Sequence, residues 1–496
     1  MTQVTIIGAG PGGLASAVVL AGAGYEVEVL EKQPYVGGRT SSFTMDGFTF
    51  DLGPTFFSMP QILEEVFESS GLKMEDYVEL IRLDPMYSLR FNGRNIRASS
   101  DEQKMFEETE RHFPGSGASY QRFMQDTRKK LGILTPMLKH PHASLLDYVR
   151  LRSLRAVPEL ELGRSLYDVL SSYFEEEELK LSFTFQSKYL GMSPWDCPGA
   201  FTILSFMEHE YGIYHPKGGM NQLTKGLARA AEDLGAVIKT GCGVAKIHTE
   251  NGKIASLVLE DGSRRRPDHT VMNADFAHGI STLIDDSSRK KYKDDRLAKK
   301  SYSLSTFMIY LGIEGSVDLD HHTVFFADDY KTNVEDISKR GVLSEDPSVY
   351  IQNASLTDES LAPEGDSALY ILAPVPNNLS GINWAEETEA FRDLVLRQVE
   401  TKAGITDLRS RIKTERVLTP QGWEEDIHIY KGATFNLTHH LSQMMYYRPH
   451  NQFEDVEGLW LTGGGTHPGS GLPTIFESAK ITAGLIRKQD GKQVAT

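Results

Sequence analysis

The chain has 496 residues, 40% hydrophobic and 24% charged, a globular balance that excludes a disordered, collagenous or disulfide-stapled protein. Lysine and arginine number 52 against 68 aspartates and glutamates, and the resulting charge of −16 repels polyphosphate and argues against nucleic acid as a partner. Two cysteines, Cys197 and Cys242, lie far apart in the chain, so no disulfide framework and no clustered thiolate metal site is expected, and a reducing cytoplasm fits.

Gln3 to Ile7 is a short β-branched run ending at Gly8, Gly13 to Ala23 is rich in Ala, Leu and Val and predicts a helix, and Tyr25 to Leu30 alternates as a second strand. The βαβ unit they form opens a dinucleotide-binding domain and implies a parallel sheet. Leu14 to Leu30 is the longest apolar stretch near the start, but glycines and two glutamates interrupt it, so no membrane span and no cleavable signal are expected. From Glu64 to about Asp196 the pattern turns charged and mostly helical, with Glu102 to Phe113 and Leu166 to Lys180 as helices of an inserted region. Strands return at Ala236 to Thr240, Val244 to His248, Ile254 to Leu259 and His269 to Asn273, with Asp261-Gly262 predicting a hairpin between the last two. Ser303 to Ile313, Thr323 to Phe326, Ser348 to Ile351 and Ala368 to Ala373 predict a second sheet. Leu459 to Thr462 is a last strand, leading through a Gly-rich turn into a helix over Thr474 to Lys488.

The chemistry begins at Gly8, Gly10 and Gly13, where the backbone can turn tightly and bring a pyrophosphate onto the amides of the following helix. Glu31 ends the second strand, where an acid accepts hydrogen bonds from a ribose diol. NAD and FAD share this opening. The Gly37-Gly38-Arg39 segment, the Gly53-Pro54-Thr55 turn and the run Gly463 to Gly469 together resemble the two-part FAD site of the flavin amine oxidase and carotenoid desaturase superfamily.

The resemblance narrows with Phe48 to Thr55 (FTFDLGPT), His215 to Ala228, Asn273 to His278 (NADFAH), Glu359 to Gly365, Tyr446 to Asn451 (YYRPHN) and Gly463 to Gly484 (GGGTHPGSGLPTIFESAKITAG). Together these are similar to bacterial phytoene and diapophytoene desaturases from Val4 to about Arg487, with the THPGSGLP core the most specific part. The resemblance implies an α/β fold: an FAD-binding, Rossmann-like two-dinucleotide-binding domain (1–63, 215–280 and 441–496) carrying an inserted mixed-sheet and helical substrate- and membrane-facing domain (64–214 and 281–440). It implies FAD at Gly8, Gly10 and Gly13 (pyrophosphate), Glu31 (ribose), Gly38 and Arg39 (phosphate and ribityl side) and the Pro54-Thr55 turn. Val244 would hold the adenine, Gly464, Gly465 and Thr466 would cover the ribityl chain, and Gly471, Leu472 and Pro473 would lie at the pyrimidine edge of the flavin. There a helix N-terminus stabilises negative charge. No cysteine lies near that segment, so noncovalent FAD is expected.

The implied reaction is desaturation of a C30 or C40 acyclic polyene, in which hydride leaves to flavin and a proton follows. The proton acceptor stays open among a carboxylate, a histidine and water, with Glu208, His209, Glu210 and His467 as candidates. Phe201 to Tyr214 reads as ordinary core or as a polyene tunnel wall, and the basic run Arg289 to Lys300 as a solvated helix face or a membrane-docking one. Oxygen or quinone is the expected electron acceptor, and the expected location is cytoplasmic, peripheral on the inner face of the cell membrane. The competing readings are a carotenoid terminal-methyl oxidase or isomerase, an amine oxidase, and a prenyl-lipid carrier that uses no flavin. Intact glycines with Glu31 argue against the carrier.

Overall fold

The computed structural model describes residues 1–139, 158–161 and 163–492. Gln3–Ile7 is the central strand of a five-stranded parallel sheet, flanked by Glu26–Leu30 and Val237–Lys239 on one side and by His269–Met272 and Leu459–Leu461 on the other. All but its first residue are buried, as a parallel strand covered on both faces requires. The helix Pro11–Gly22 follows at once and packs on helices Asn221–Asp233 and Leu472–Gln489. Its Gly12, Gly13, Ala15 and Ala17 carry little or no side chain, which lets these elements approach closely.

The second sheet has seven strands in the order Ile412–Leu418, Ser305–Ile313, Ser367–Val375, Val349–Asn353, His322–Phe325, Tyr87–Phe91 and Arg94–Ala98. Neighbours are antiparallel except His322–Phe325 and Tyr87–Phe91, which run parallel. Period-two alternation divides its work. Phe307, Ile309 and Leu311 with Leu369, Ile371 and Ala373 pack under helix Trp384–Ala403. Tyr370, Leu372 and Pro374 point the other way and roof a large cavity.

Three expectations need correction. Asp261-Gly262 does turn a hairpin, but it joins Lys253–Leu259 to the short strand Arg264–Arg265, while His269–Met272 goes into the parallel sheet. The reason is burial: all four residues of His269–Met272 are buried, which an outer hairpin strand could not offer. The inserted region is not mostly helical at its start, since Leu80–Arg82, Tyr87–Phe91 and Arg94–Ala98 are strands. The stretch Leu166 to Lys180 is two helices, Leu166–Ser171 and Glu177–Ser182, the first capped by a reciprocal Ser165–Asp168 box, with buried Phe174 between them. Residues 140–157 of that insert lie outside the described residues.

Candidate active site

A cavity of about 990 Å³ runs from the first Gly-rich turn to the underside of the second sheet. Its polar end is built from backbone. Gly8 has φ +96°, a conformation L side chains rarely adopt, and its N–H bonds the Leu30 carbonyl at 2.8 Å. At Gly13 a Cβ would stand 2.2 Å from the Gly8 carbonyl oxygen, so only glycine lets the helix sit this close to the strand. Gly13 is therefore beneath the wall, while Gly8, Gly10 and Pro11 form it. Gly38, at φ +54°, brings the second Gly pair against Gly10, where a Cβ on Gly38 would lie 3.5 Å from the Gly10 α-carbon.

Glu31 stands beside this turn, its Oε2 accepting from the Ala9 N–H at 2.7 Å and its Oε1 from the Gln33 N–H at 2.8 Å. Burial raises its pKa, and these backbone donors pull the other way. Arg39 crosses the cavity wall and binds three acceptors on two segments: Asp275 Oδ2 at 2.5 Å, and the Thr434 carbonyl at 3.2 Å with Asn436 Oδ1 at 3.3 Å. Asp275 also caps helix Phe276–Leu283 by accepting from the His278 N–H. Val244 lines the far part of this end together with Lys32, Glu260 and His278.

The C-terminal glycines complete the polar end. Buried Arg448, from the YYRPHN segment, donates to the Thr466 carbonyl at 3.1 Å and to the Gly464 carbonyl at 2.6 Å, holding the loop by its backbone. Asn451 donates to the His467 carbonyl at 3.1 Å and ties the loop to Ser478 and Thr482 of the last helix. Gly464, Gly465, Gly471, Leu472 and Pro473 line the cavity. Thr466 does not: its hydroxyl donates to the Pro449 carbonyl at 2.5 Å and faces inward, so its place in the loop is structural. Pro54 and Thr55 line the cavity where this end meets the apolar end.

The residues present fit FAD. Helix Pro11–Gly22 begins at Gly10 and helix Leu472–Gln489 at Gly471; neither has a side-chain cap or an acid in its first turn, and both N-termini stand at the cavity. Two uncapped ends present free N–H groups and positive dipole ends to an anionic or electron-rich ligand. Neither Cys197 nor Cys242 is among the lining residues.

The opposite end is apolar, with Leu131, Leu190, Leu204, Met207, Val324 and Leu372 on its walls. Part of the Phe201 to Tyr214 stretch thus faces the cavity, while Phe206 faces the core. The four candidate proton acceptors separate. Glu208 lines the cavity, accepting from Gln186 Nε2 at 2.7 Å and Tyr87 Oη at 3.2 Å, and burial pushes its carboxyl up to about 8. His209 is buried off the wall near Ser99 O, its pKa pushed down to about 4 by burial, and Glu210 pairs with Arg128 at 2.6 Å on the outside. His467 is buried in the loop but is not on the wall. The basic run is not a uniform face either, because Arg289 is buried and paired with Asp294 at 2.9 Å, and Lys291 pairs with Glu454 at 2.7 Å. The sequence pattern alone does not reveal Asp275, Asn436 or the clamping role of Arg448, although Asp275 lies within NADFAH and Arg448 within YYRPHN.

A two-ended cavity of this kind, on a parallel sheet with uncapped helix ends, defines an FAD-binding oxidoreductase of the flavin amine oxidase fold. The chain belongs to the flavin containing amine oxidoreductase family, which matches residues 11–487. It is 45% identical over 487 residues to a 4,4'-diapophytoene desaturase (4,4'-diapolycopene-forming) of Methylomonas sp, covering 98% of this chain and 95% of that one. It is 34% identical over 496 residues to a lycopene-forming phytoene desaturase of Pantoea ananas, covering 98% and 99%. Among solved structures, an oxidoreductase from Methanosarcina mazei superposes with a TM-score of 0.63 at 18% identity, over 96% of this chain and 98% of that one, a likeness of fold.

Proposed function

We propose that this chain is an FAD-dependent desaturase of a C30 acyclic polyene of the diapophytoene type. The observation that carries the reading is the single cavity joining a glycine-built, Arg39-lined end to an apolar end. FAD, when bound, supplies hydride acceptance from a C–H bond beside a double bond. The chain supplies placement. The apolar walls exclude water and hold a hydrocarbon that offers no group to hydrogen-bond, so fit and burial alone set its position. The preference for C30 over C40 is supported by the higher identity to the Methylomonas relative than to the Pantoea one. Expression in hosts that make either the C30 or the C40 precursor, followed by the absorption spectrum of the pigment, tests both parts. Longer-wavelength absorption only in the C30 host is expected, and colour only in the C40 host would reverse the choice.

Peripheral attachment to the inner face of the cell membrane accompanies this reading, because the substrate dissolves in lipid. No described helix is long and apolar enough to cross a membrane. With Arg289 spent on an internal ion pair, Lys290, Arg296 and Lys299 are the exposed remainder of the basic run. Detergent, or high salt if these charges contribute, should release the protein from membranes; retention after both would contradict the attachment proposed. Oxygen or a quinone serves as electron acceptor, and peroxide yield against quinone reduction distinguishes them.

A further inference from the structure

Where the polar and apolar ends of the cavity meet, two hydroxyls and an imidazole form a chain. Thr55 Oγ1 lies 2.7 Å from Tyr350 Oη, and Tyr350 Oη lies 2.8 Å from His322 Nδ1. Thr55 and Tyr350 line the cavity; His322 is fully buried behind them, and its Nε2 has no hydrogen-bond partner among the described residues. The position is fixed from several sides. Tyr370 Oη and Tyr310 Oη donate to the carbonyls of Gly53 and Leu52, both at 2.6 Å, holding the turn that carries Thr55. At Gly53 a Cβ would lie 2.7 Å from the Arg39 carbonyl, so this turn rests against the segment that lines the cofactor end. The His322 ring stacks on Phe56 at 4.2 Å between centroids, and antiparallel pairing of His322 with Gln352 and of Val324 with Tyr350 sets the two side chains diagonally across adjacent strands.

We propose that Tyr350, backed by His322, accepts the proton that leaves the polyene: Tyr350 Oη receives it as its own proton passes to His322 Nδ1. The inference rests on the desaturase reading. The step balances: one C–H bond gives its hydrogen and electron pair to FAD, and the neighbouring C–H bond gives a proton to the Tyr350–His322 pair while its electron pair becomes the new π bond. Return of the two electrons to an oxygen or quinone acceptor takes up that proton, so the imidazole is discharged each cycle. An allylic cation is a far stronger acid than any side chain, so the useful acceptor is one that is not already protonated. Burial holds His322 neutral, its pKa well below the usual histidine range, with His321 and His215 nearby adding to that effect. Glu208, by contrast, has one oxygen occupied by two donors, and burial keeps its proton on near neutrality. In these terms Tyr350 is a catalytic residue and His322 a positioning residue.

The test uses the FAD-loaded protein mixed without oxygen with liposomes containing the C30 or C40 polyene, with loss of flavin absorbance followed in H2O and in D2O. Hydride return to the allylic cation competes until the proton is lost, so net bleaching reads the proton step, and the wild type should bleach with a solvent isotope effect because the protons on Tyr350 and His322 exchange with solvent. Tyr350→Phe and His322→Gln should keep their FAD and bleach on the order of 10²-fold more slowly, with the isotope effect lost. Bleaching at the wild-type rate with an unchanged isotope effect in both variants would overturn the relay and leave the desaturase reading intact; no bleaching of the wild type with either polyene would overturn both. Independently of turnover, the 15N spectrum of the oxidised holoenzyme, with His322 assigned by its loss in His322→Gln, should show an unprotonated Nδ1. A proton on Nδ1 would remove the acceptor and reject the proposal.

Discussion

The two ends of the cavity are built by different means. The cofactor end is made of backbone: Gly8, Gly10, Gly38, Gly464 and Gly471 shape it, and carbonyls held by Arg448 fix its last loop. The apolar end is made of side chains from segments far apart in the chain, such as Leu131, Leu204, Val324 and Leu372, none of which is special by itself. A backbone surface fails when one atom is added. A side-chain surface of about equal hydrophobicity tolerates exchange as long as volume is kept.

Gly10→Val should break the first kind of surface outright and have the largest effect. Even the first added carbon would stand 2.6 Å from Asn273 Nδ2, and the rest of the valine would occupy the cavity wall at the start of helix Pro11–Gly22. Flavin content per protein, read from the ratio of flavin to protein absorbance, should fall by about tenfold or more, roughly 1.4 kcal/mol or more of binding. Equal occupancy in the variant would mean that the glycine turn is not where the pyrophosphate lies.

Arg448→Met should come next. It deletes no cavity-lining group, yet it leaves the Thr466 carbonyl without its donor and the Gly464 carbonyl with the Ser470 hydroxyl alone, at a cost of about 1 to 3 kcal/mol. The expected result is a lower Tm together with weaker FAD retention; a lower Tm with full FAD retention would separate the loop's stability from cofactor binding.

This contrast also explains what could be read from the sequence. Gly8, Gly10 and the glycines of the Gly463 to Gly471 run were legible because a backbone requirement admits one residue type at a fixed spacing, and Glu31 and Arg39 because they follow such glycine turns in the order the FAD-site pattern sets. The turn of the Thr466 hydroxyl toward the Pro449 carbonyl was not legible, because spacing places a residue in a loop but does not say which way its side chain points. The Tyr87–Phe91 and Arg94–Ala98 hairpin was legible in principle, since Asn92-Gly93 between two segments that mix apolar and polar residues is a strong turn signal. Tyr350 and His322 were not, because they meet only through the pairing of two strands whose register no short motif reveals.

The two glutamates of helix Ile203–Tyr211 sharpen the comparison within one turn. Residues two apart on a helix are rotated by about 200°, so Glu208 faces the cavity and Glu210 the outside. With its carboxyl raised to about 8, Glu208 binds a proton in the folded chain that it loses near 4.5 when unfolded. Its contribution to stability is therefore fully present below that unfolded value and is lost as pH rises through about 8. Glu208→Gln, which keeps a neutral side chain of the same shape, should make Tm less dependent on pH between about 5 and 9 than in the wild type, with turnover lowered modestly. An unchanged slope would show that Glu208 is ionised in the fold.

Glu210→Gln should have the smallest effect. Glu210 pairs with Arg128 at 2.6 Å, both side chains partly exposed to water, and Arg128 keeps a second acid, Glu102, at 3.4 Å after the change. Surface ion pairs of this kind are worth about 0 to 1 kcal/mol, less in salt, and neither Glu210 nor Arg128 lines the cavity. Turnover and FAD content should match the wild type, with Tm lowered slightly at low ionic strength and not at high. A large loss of activity with FAD retained would mean that the outer face of this helix communicates with the apolar end, and the separation of the helix into a working face and a solvated one would have to be abandoned.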